Sequence, residues 1–101
     1  MNQMQQMIAQ AQKMQRELQK AQAELAKKEF NLTKAGLVTV TVLGSKEIKA
    51  IEIDKDGFDP DNKEMIEEMI VSALNELFEK IDEESAAIEE KITGRAGGLG
   101  F

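Results

Sequence analysis

The amino-acid sequence predicts an α+β fold in which a long N-terminal helix, a three-stranded antiparallel sheet and a long C-terminal helix follow one another. Two observations indicate this fold. Apolar residues recur at helical spacing before residue 28 and after residue 60, whereas between these segments they alternate with polar residues in short runs. Glycine-containing turns separate the short runs. The length of 101 residues suits one domain, which we place at residues 1–93, followed by a flexible glycine-rich tail at residues 94–101.

The first predicted helix extends from about residue 2 to residue 27, where neither glycine nor proline occurs. One stripe of this helix carries a heptad seam, formed by Met4, Met7, Ala11, Met14, Leu18, Ala21 and Leu25. We interpret the C-terminal half of the seam as packing on the second helix of the same chain. The N-terminal half is rich in methionine, which is typical of a flexible packing surface between arms or subunits. The candidate residues for dimer or arm packing are therefore Met4, Met7, Met14 and Leu18.

Three short strands are predicted after this helix, at residues 30–33, 37–43 and 48–53. The second is the clearest, because it is rich in β-branched residues and places three valines on one face. An Ala-Gly pair separates the first two strands, and a Gly-Ser-Lys segment separates the last two. Links this short predict an antiparallel meander.

The loop at residues 54–61 is rich in aspartate and predicts the start of the second helix. Either Asp59 caps this helix with Pro60 at its first position, or Asp61 caps it with Glu64 three residues later. A calcium-binding EF-hand loop is a poor match, because the required pattern fails at three positions. The second helix then follows a wide apolar stripe over residues 60–92, and its last third is strongly acidic.

The lengths of these elements predict self-association. At about 1.5 Å per residue the first helix is roughly 40 Å long and the second nearly 50 Å, whereas a sheet of three short strands measures only about 25 Å by 15 Å. The sheet cannot cover both helices, and its open edge also needs protection. A homodimer with projecting helical arms, intertwined or joined at the sheet edge, meets both needs through one symmetric contact.

Composition excludes most enzymatic chemistry. Histidine and cysteine are both absent, which removes the commonest general base, the commonest zinc ligands and the usual nucleophile pairs. We therefore predict no enzyme, no cofactor and no metal site. The N-terminus lacks the pattern of a signal peptide, and no apolar run is long enough to span a membrane. The expected location is the cytoplasm.

Charge is segregated along the chain. Residues 1–28 contain five basic and two acidic residues, a net charge of +3, whereas residues 29–101 contain eight basic and seventeen acidic residues, a net charge of −9. Most of the basic residues of the first segment form a row on one face of the first helix, and the candidate DNA-binding set is Lys13, Arg16, Lys20, Lys27 and Lys28. This row fits a solvated face and a phosphate-binding face about equally well. Because the whole chain carries −6, any binding to nucleic acid must be regional.

The order and spacing of several segments resemble the YbaB/EbfC family of nucleoid-associated proteins. The resemblance covers essentially the whole chain. After the opening Met-, Gln- and Lys-rich helix, it is carried by Ala-Gly-Leu-Val-Thr-Val-Thr-Val-Leu-Gly at residues 35–44, Ile-Glu-Ile-Asp at 51–54, the helical segment 62–70, Ala-Leu-Asn at 73–75 and the glycine-rich ending.

This resemblance implies a tweezer-shaped homodimer that binds duplex DNA with little sequence preference in the bacterial nucleoid. The family's DNA contact is associated with its helical arms, without a fixed residue signature. Lys91 and Arg95, near the end of the second helix, are weaker candidates for such contact. The alternative is a protein–protein adaptor whose Met-rich arm and acidic helix engage another protein, for example one of DNA repair or replication.

Overall fold

The computed structural model describes residues 2–97, and the side chains of residues 2–94. It confirms the predicted fold class and the order of the elements, which are α1 (Gln3–Lys27), β1 (Glu29–Lys34), β2 (Val38–Leu43), β3 (Ile48–Ile53) and α2 (Lys63–Gly97). Two short 3-10 turns, Lys55–Gly57 and Pro60–Asn62, connect β3 to α2.

The first helix begins with a capping box. The Asn2 side chain accepts a hydrogen bond of 2.8 Å from the backbone N–H of Gln5, and the Gln5 side chain accepts one of 3.3 Å from the N–H of Asn2. These two bonds satisfy backbone donors that the first turn of a helix leaves without partners. The start of α1 is therefore fixed by local sequence, far from the sheet.

The three strands form an antiparallel sheet with β2 in the centre. Ala35 and Gly36 both have positive φ angles, and the N–H of Leu37 donates to the carbonyl of Lys34 at 2.9 Å, which closes a two-residue hairpin turn between β1 and β2. A register irregularity lies between Thr41 and Val42 in the pairing of β2 with β3. The predicted meander is confirmed.

The aspartate-rich loop forms turns and caps. Asp54 and Asp59 each accept a hydrogen bond from the backbone N–H two residues further on, at 3.0 and 2.9 Å. Asp59 caps the second 3-10 turn, with Pro60 at its first position, and not the α-helix that the first alternative predicts. Asp61 lies inside that turn, and α2 itself begins at Lys63.

The second helix ends later than predicted. It was expected to stop near residue 92, yet α2 continues through Gly94 to Gly97. A single glycine costs a helix only about 1 kcal/mol relative to alanine, and the buried side chain of Ile92 anchors the preceding turn. Residues 94–97, assigned to the predicted flexible tail, are therefore helical, and residues 98–101 lie outside the described part of the chain.

The core lies between the sheet and the first half of α2. Val38, Val40 and Val42 of the central strand have no solvent-exposed surface. They pack in one cluster with Phe30 of β1, with Leu25 near the end of α1, and with the apolar face of α2, which contributes Ile66, Ala73, Leu77 and Ile81. Among residues 2–94 no buried polar or charged residue interrupts this core.

Beyond the sheet the two helices form an antiparallel arm. α1 runs towards the sheet and α2 runs away from it, and Gln22 joins Ser85 through two hydrogen bonds of 3.1 and 3.2 Å. The molecule is consequently elongated, with extents of 71 × 22 × 14 Å and a radius of gyration of 20.1 Å, compared with about 13 Å for a compact domain of this length. No helix within the described residues combines the length and the apolar character needed to cross a lipid bilayer.

Candidate nucleic-acid interface

The basic row of the first helix is exposed to solvent. Lys13, Arg16, Lys20 and Lys27 are all classed as exposed, whereas Leu25 on the seam is buried. At about 100° per residue, these four side chains lie more than about 100° around the helix from the part of the seam that packs on α2. From Lys13 to Lys27 the row extends for about 21 Å along the axis. The seam therefore holds α1 so that its cations face outwards.

The four cations lack direct ion pairs with the described residues but have two acidic neighbours on α1. Within the described part of the chain, no ion pair involves Lys13, Arg16, Lys20 or Lys27. Glu17 and Glu24 each lie within one turn of two of these cations, and Glu17 makes an interaction of its own. We refer to Lys13, Arg16, Lys20 and Lys27 as the cationic face.

Lys28, the fifth predicted DNA-binding residue, has a different environment. Its Nζ lies 2.8 Å from Oε1 of Glu84 on α2 and 5.0 Å from the centroid of the Phe30 ring. The other oxygen of Glu84, Oε2, is buried and has no hydrogen-bond partner among the described residues. Lys28 therefore compensates a carboxylate that water reaches only in part, and its charge is less available to a ligand.

Most lysines of the body are paired in the same way. Lys34 meets Glu76 at 2.8 Å, Lys46 meets Asp82 at 2.7 Å, and Lys63 meets Glu67 at 3.1 Å. Lys49 also pairs with Glu29, which links β3 to β1. Surface pairs of this kind contribute little stability, but they reduce the positive potential of the sheet and of the first half of α2. The positive charge that remains is concentrated on the cationic face.

The arm has two electrostatically different sides. On α2, the exposed carboxylates Glu79, Glu83 and Glu90 lie roughly opposite the side that Ser85 turns towards α1. The cationic face occupies the outer side of α1. A polyanion approaching α1 therefore meets four cations and two carboxylates, whereas one approaching α2 meets mainly carboxylates.

The candidate packing residues fall into two groups. Met14 and Leu18 are half-buried where α1 lies along α2, while Met4 and Met7 are 70% and 65% exposed. Of the weaker DNA-binding candidates, Lys91 is exposed and makes a further interaction, and the side chain of Arg95 lies outside the described part of the structure.

Lys80 is absent from the residues predicted from the sequence. Its Nζ lies 5.9 Å from the centroid of the same Phe30 ring that Lys28 approaches, and both lysines line an open groove of about 470 Å³ beside β1. One feature of the sequence could have drawn attention to this residue: Lys80 is the only basic residue between positions 64 and 90, in an otherwise acidic segment. Within residues 2–94 no group of acidic side chains is arranged to hold a metal ion.

Comparison with known proteins agrees with this geometry. Residues 1–96 match the YbaB/EbfC DNA-binding family. A nucleoid-associated protein of Lachnospira eligens is 51% identical over 65 residues, which are 64% of this chain and 56% of that relative. A nucleoid-associated protein of Lachnoclostridium phytofermentans is 46% identical over 64% of this chain and 55% of its own length. One of Agathobacter rectalis is 48% identical over 62% of this chain and 56% of its own length. The chain spans little more than half the length of these curated relatives.

Proposed function

The chain belongs to the YbaB/EbfC DNA-binding family, and from this membership we propose that it binds duplex DNA with low sequence specificity in the nucleoid. The family is a DNA-binding family and not an enzyme family, in agreement with the absence of histidine and cysteine. The curated relatives are named nucleoid-associated proteins, which supports the proposed location.

The cationic face is the observation that supports this function most directly. Four exposed cations without ion pairs to the described residues lie along about 21 Å of one helix, a length over which duplex DNA presents a continuous series of phosphates. Contacts from lysine and arginine to phosphates fix position and orientation, but they carry no direct sequence information. A row of this kind therefore favours binding that tolerates many sequences.

We propose that the binding species is a homodimer joined at the β3 side of the sheet. Ile48 and Ile51 pair with inward-facing valines of β2, yet they are 47% and 42% exposed because α2 packs mainly over β1 and β2. Among the described residues no strand pairs with the outer edge of β3. A second copy placed there would cover two apolar side chains and an open edge, and would present the cationic face twice.

A salt series with duplex DNA tests the function. If the cationic face neutralises about four to six phosphates, the logarithm of the affinity falls against the logarithm of the salt concentration with a slope of roughly −4 to −5. Changing Lys13, Arg16 and Lys20 to Gln should weaken binding to all sequences and remove most of this slope, because it takes three of the four cations from each cationic face. The measurement is fluorescence anisotropy of a labelled duplex between about 50 and 200 mM salt.

The matched control removes three charges elsewhere. Changing Lys34, Lys46 and Lys63 to Gln lowers the net charge equally, but these lysines already pair with carboxylates. This control should retain the slope of the unchanged protein. A flat salt response, or no binding at low salt, contradicts the proposal and favours the protein adaptor. Equal losses in both variants would contradict the assignment to the cationic face.

A further inference from the structure

The free end of α1 carries an apolar stripe that nothing in the described structure covers. Met4 is 70% exposed, Met7 is 65% exposed and Ile8 is 53% exposed. These three residues lie on one side of the helix, in line with the seam that packs on α2 further along. We refer to them as the tip stripe. The tip stripe thus continues an existing helix–helix interface past the point where its partner helix ends.

The end of α2 explains why the stripe is uncovered. Gln22 lies level with Ser85, and the helices run in opposite directions. At about 1.5 Å per residue, Gly97, the last described residue of α2, comes level with about Gln10 of α1. The remaining two turns of α1 project beyond it.

The tip has the chemistry of a surface that packs against itself. Residues 2–12 contain no charged side chain at all, and the first charged side chain is that of Lys13. Two tips brought together therefore experience no charge repulsion from their own side chains. A surface helix that faces only water normally carries charged residues on its polar side, and this segment has glutamines instead.

The tip stripe faces away from the DNA proposed for the cationic face. At about 100° per residue, Met4, Met7 and Ile8 lie on average roughly 160° around the helix from the row that includes Lys13 and Lys20. Because they lie on opposite sides of α1, the cationic face and the tip stripe cannot contact the same straight duplex at once. When the cations contact phosphates, the tip stripe is directed towards whatever lies on the other side of the arm.

We propose that the occupant of the tip stripe is the tip of a second copy, so that arms of neighbouring molecules join end to end. Each α1 tip then lies antiparallel to the other and fills the position beyond the end of the other molecule's α2. Three side chains from each copy cover far less than the roughly 1,200 Å² of the smallest stable interfaces. The contact is consequently weak in free solution and becomes effective where DNA holds many copies close together.

Sedimentation without DNA tests the contact independently of the proposed function. At protein concentrations up to about 1 mM, the unchanged chain should form species larger than the homodimer. The variant with Met4, Met7 and Ile8 all changed to Gln should not, and glutamine preserves helix propensity. The control changes Gln6, Gln10 and Gln12 to Ala, which lie away from the tip stripe and outside the capping box, and should assemble like the unchanged chain. Circular dichroism verifies that all three proteins are equally helical.

Binding to short and long duplexes provides the second measurement, which rests on the proposed function. On a duplex with room for one molecule, the three proteins should bind within about twofold of one another. On a duplex with many sites, the tip-stripe variant alone should lose cooperativity and about tenfold in apparent affinity. If none of the proteins binds DNA, the proposed function fails, and sedimentation alone decides the self-contact.

Three results would overturn the inference. The first is that the unchanged chain and the tip-stripe variant form species larger than the homodimer to the same extent, or that neither forms them. The second is a loss of affinity by that variant on the short duplex as large as on the long one, which would mean that the stripe contacts DNA. The third is assembly that appears only after residues 98–101 are deleted, since the chain's own end would then be the occupant.

Discussion

At the scale of single residues, two adjacent lysines of this protein have different roles. Lys27 is exposed and makes no ion pair with the described residues, whereas Lys28 pairs with Glu84 and lies over Phe30. The difference arises because Lys27 ends the outer face of α1, while the chain turns into β1 at Lys28. Position relative to α2, and not residue type, decides which charge is available to a ligand.

We therefore predict that Lys27→Gln weakens DNA binding more than Lys28→Gln does. Loss of one phosphate contact at Lys27 should reduce the salt slope by about 1, whereas loss of the paired Lys28 should change it by much less. Lys28→Gln should instead lower the free energy of unfolding by up to about 1 kcal/mol, because Glu84 loses its partner. Anisotropy titrations and urea denaturation of both variants check this pair of outcomes. Equal salt slopes would show that Lys28 also contacts DNA.

At the scale of elements, the turn between β2 and β3 holds the end of α1. The N–H of Gly44 donates to the carbonyl of Lys28 at 2.9 Å, and the N–H of Ser45 donates to the carbonyl of Ala26 at 3.1 Å. A Cβ atom on Gly44 would lie 1.8 Å from the carbonyl oxygen of Leu25. Only glycine permits this approach, which sets the position from which the arm leaves the sheet.

Gly44→Ala should accordingly separate the helix end from the turn. We expect the free energy of unfolding to fall by about 2–4 kcal/mol, since backbone must move and two hydrogen bonds are strained. The control is Gly94→Ala, in the exposed last part of α2, where a Cβ meets, among the described side chains, only the Cγ of Glu90 at 3.9 Å. That change should stabilise the protein by up to about 1 kcal/mol. Urea denaturation measures both, and an unchanged midpoint for Gly44→Ala would show that the close approach is not maintained in solution.

At the scale of the whole molecule, the elongated shape leaves two surfaces that one chain cannot cover. One is the tip stripe, and the other is the β3 side of the sheet, where Ile48 and Ile51 remain exposed. Both follow from the same mismatch of lengths, because α2 and only the end of α1 cover the sheet, and α2 then leaves it to pack on α1. The proposed homodimer covers the sheet surface and directs the arms away from it.

Ile51→Lys should break this homodimer. A charge placed at the centre of an apolar contact is costly when buried, but the half-exposed site tolerates lysine in a free chain. Light scattering at micromolar concentration should give twice the chain mass of 11.2 kDa for the unchanged protein and a single chain mass for the variant. Asn31→Lys on β1 adds the same charge on the opposite edge and should remain dimeric. A single chain mass for the unchanged protein would contradict the homodimer altogether.

Local patterns in the sequence were sufficient for the elements of the fold. The heptad seam indicates the extent of α1, and the three valines of β2 indicate the buried face of the sheet. The aspartates at positions 54 and 59 indicate the two turns before α2. Each signal involves residues a few positions apart, which is the range over which helix and strand periodicity act. The end of α2 was placed too early because packing on α1 continues the helix through Gly94, and a local glycine signal cannot report such a contact.

The sequence by itself determined the order of helices and strands, the family, and the concentration of positive charge in the first 28 residues. Only the tertiary structure decided which of those charges remain available, because Lys28 and Glu84 are 56 positions apart and meet only when α2 folds back beside α1. It likewise decided that Ile48, Ile51 and the tip stripe stay exposed, since burial depends on where a neighbouring helix ends. Periodicity is a property of neighbouring residues, whereas ion pairing and burial depend on distant segments that the fold brings together.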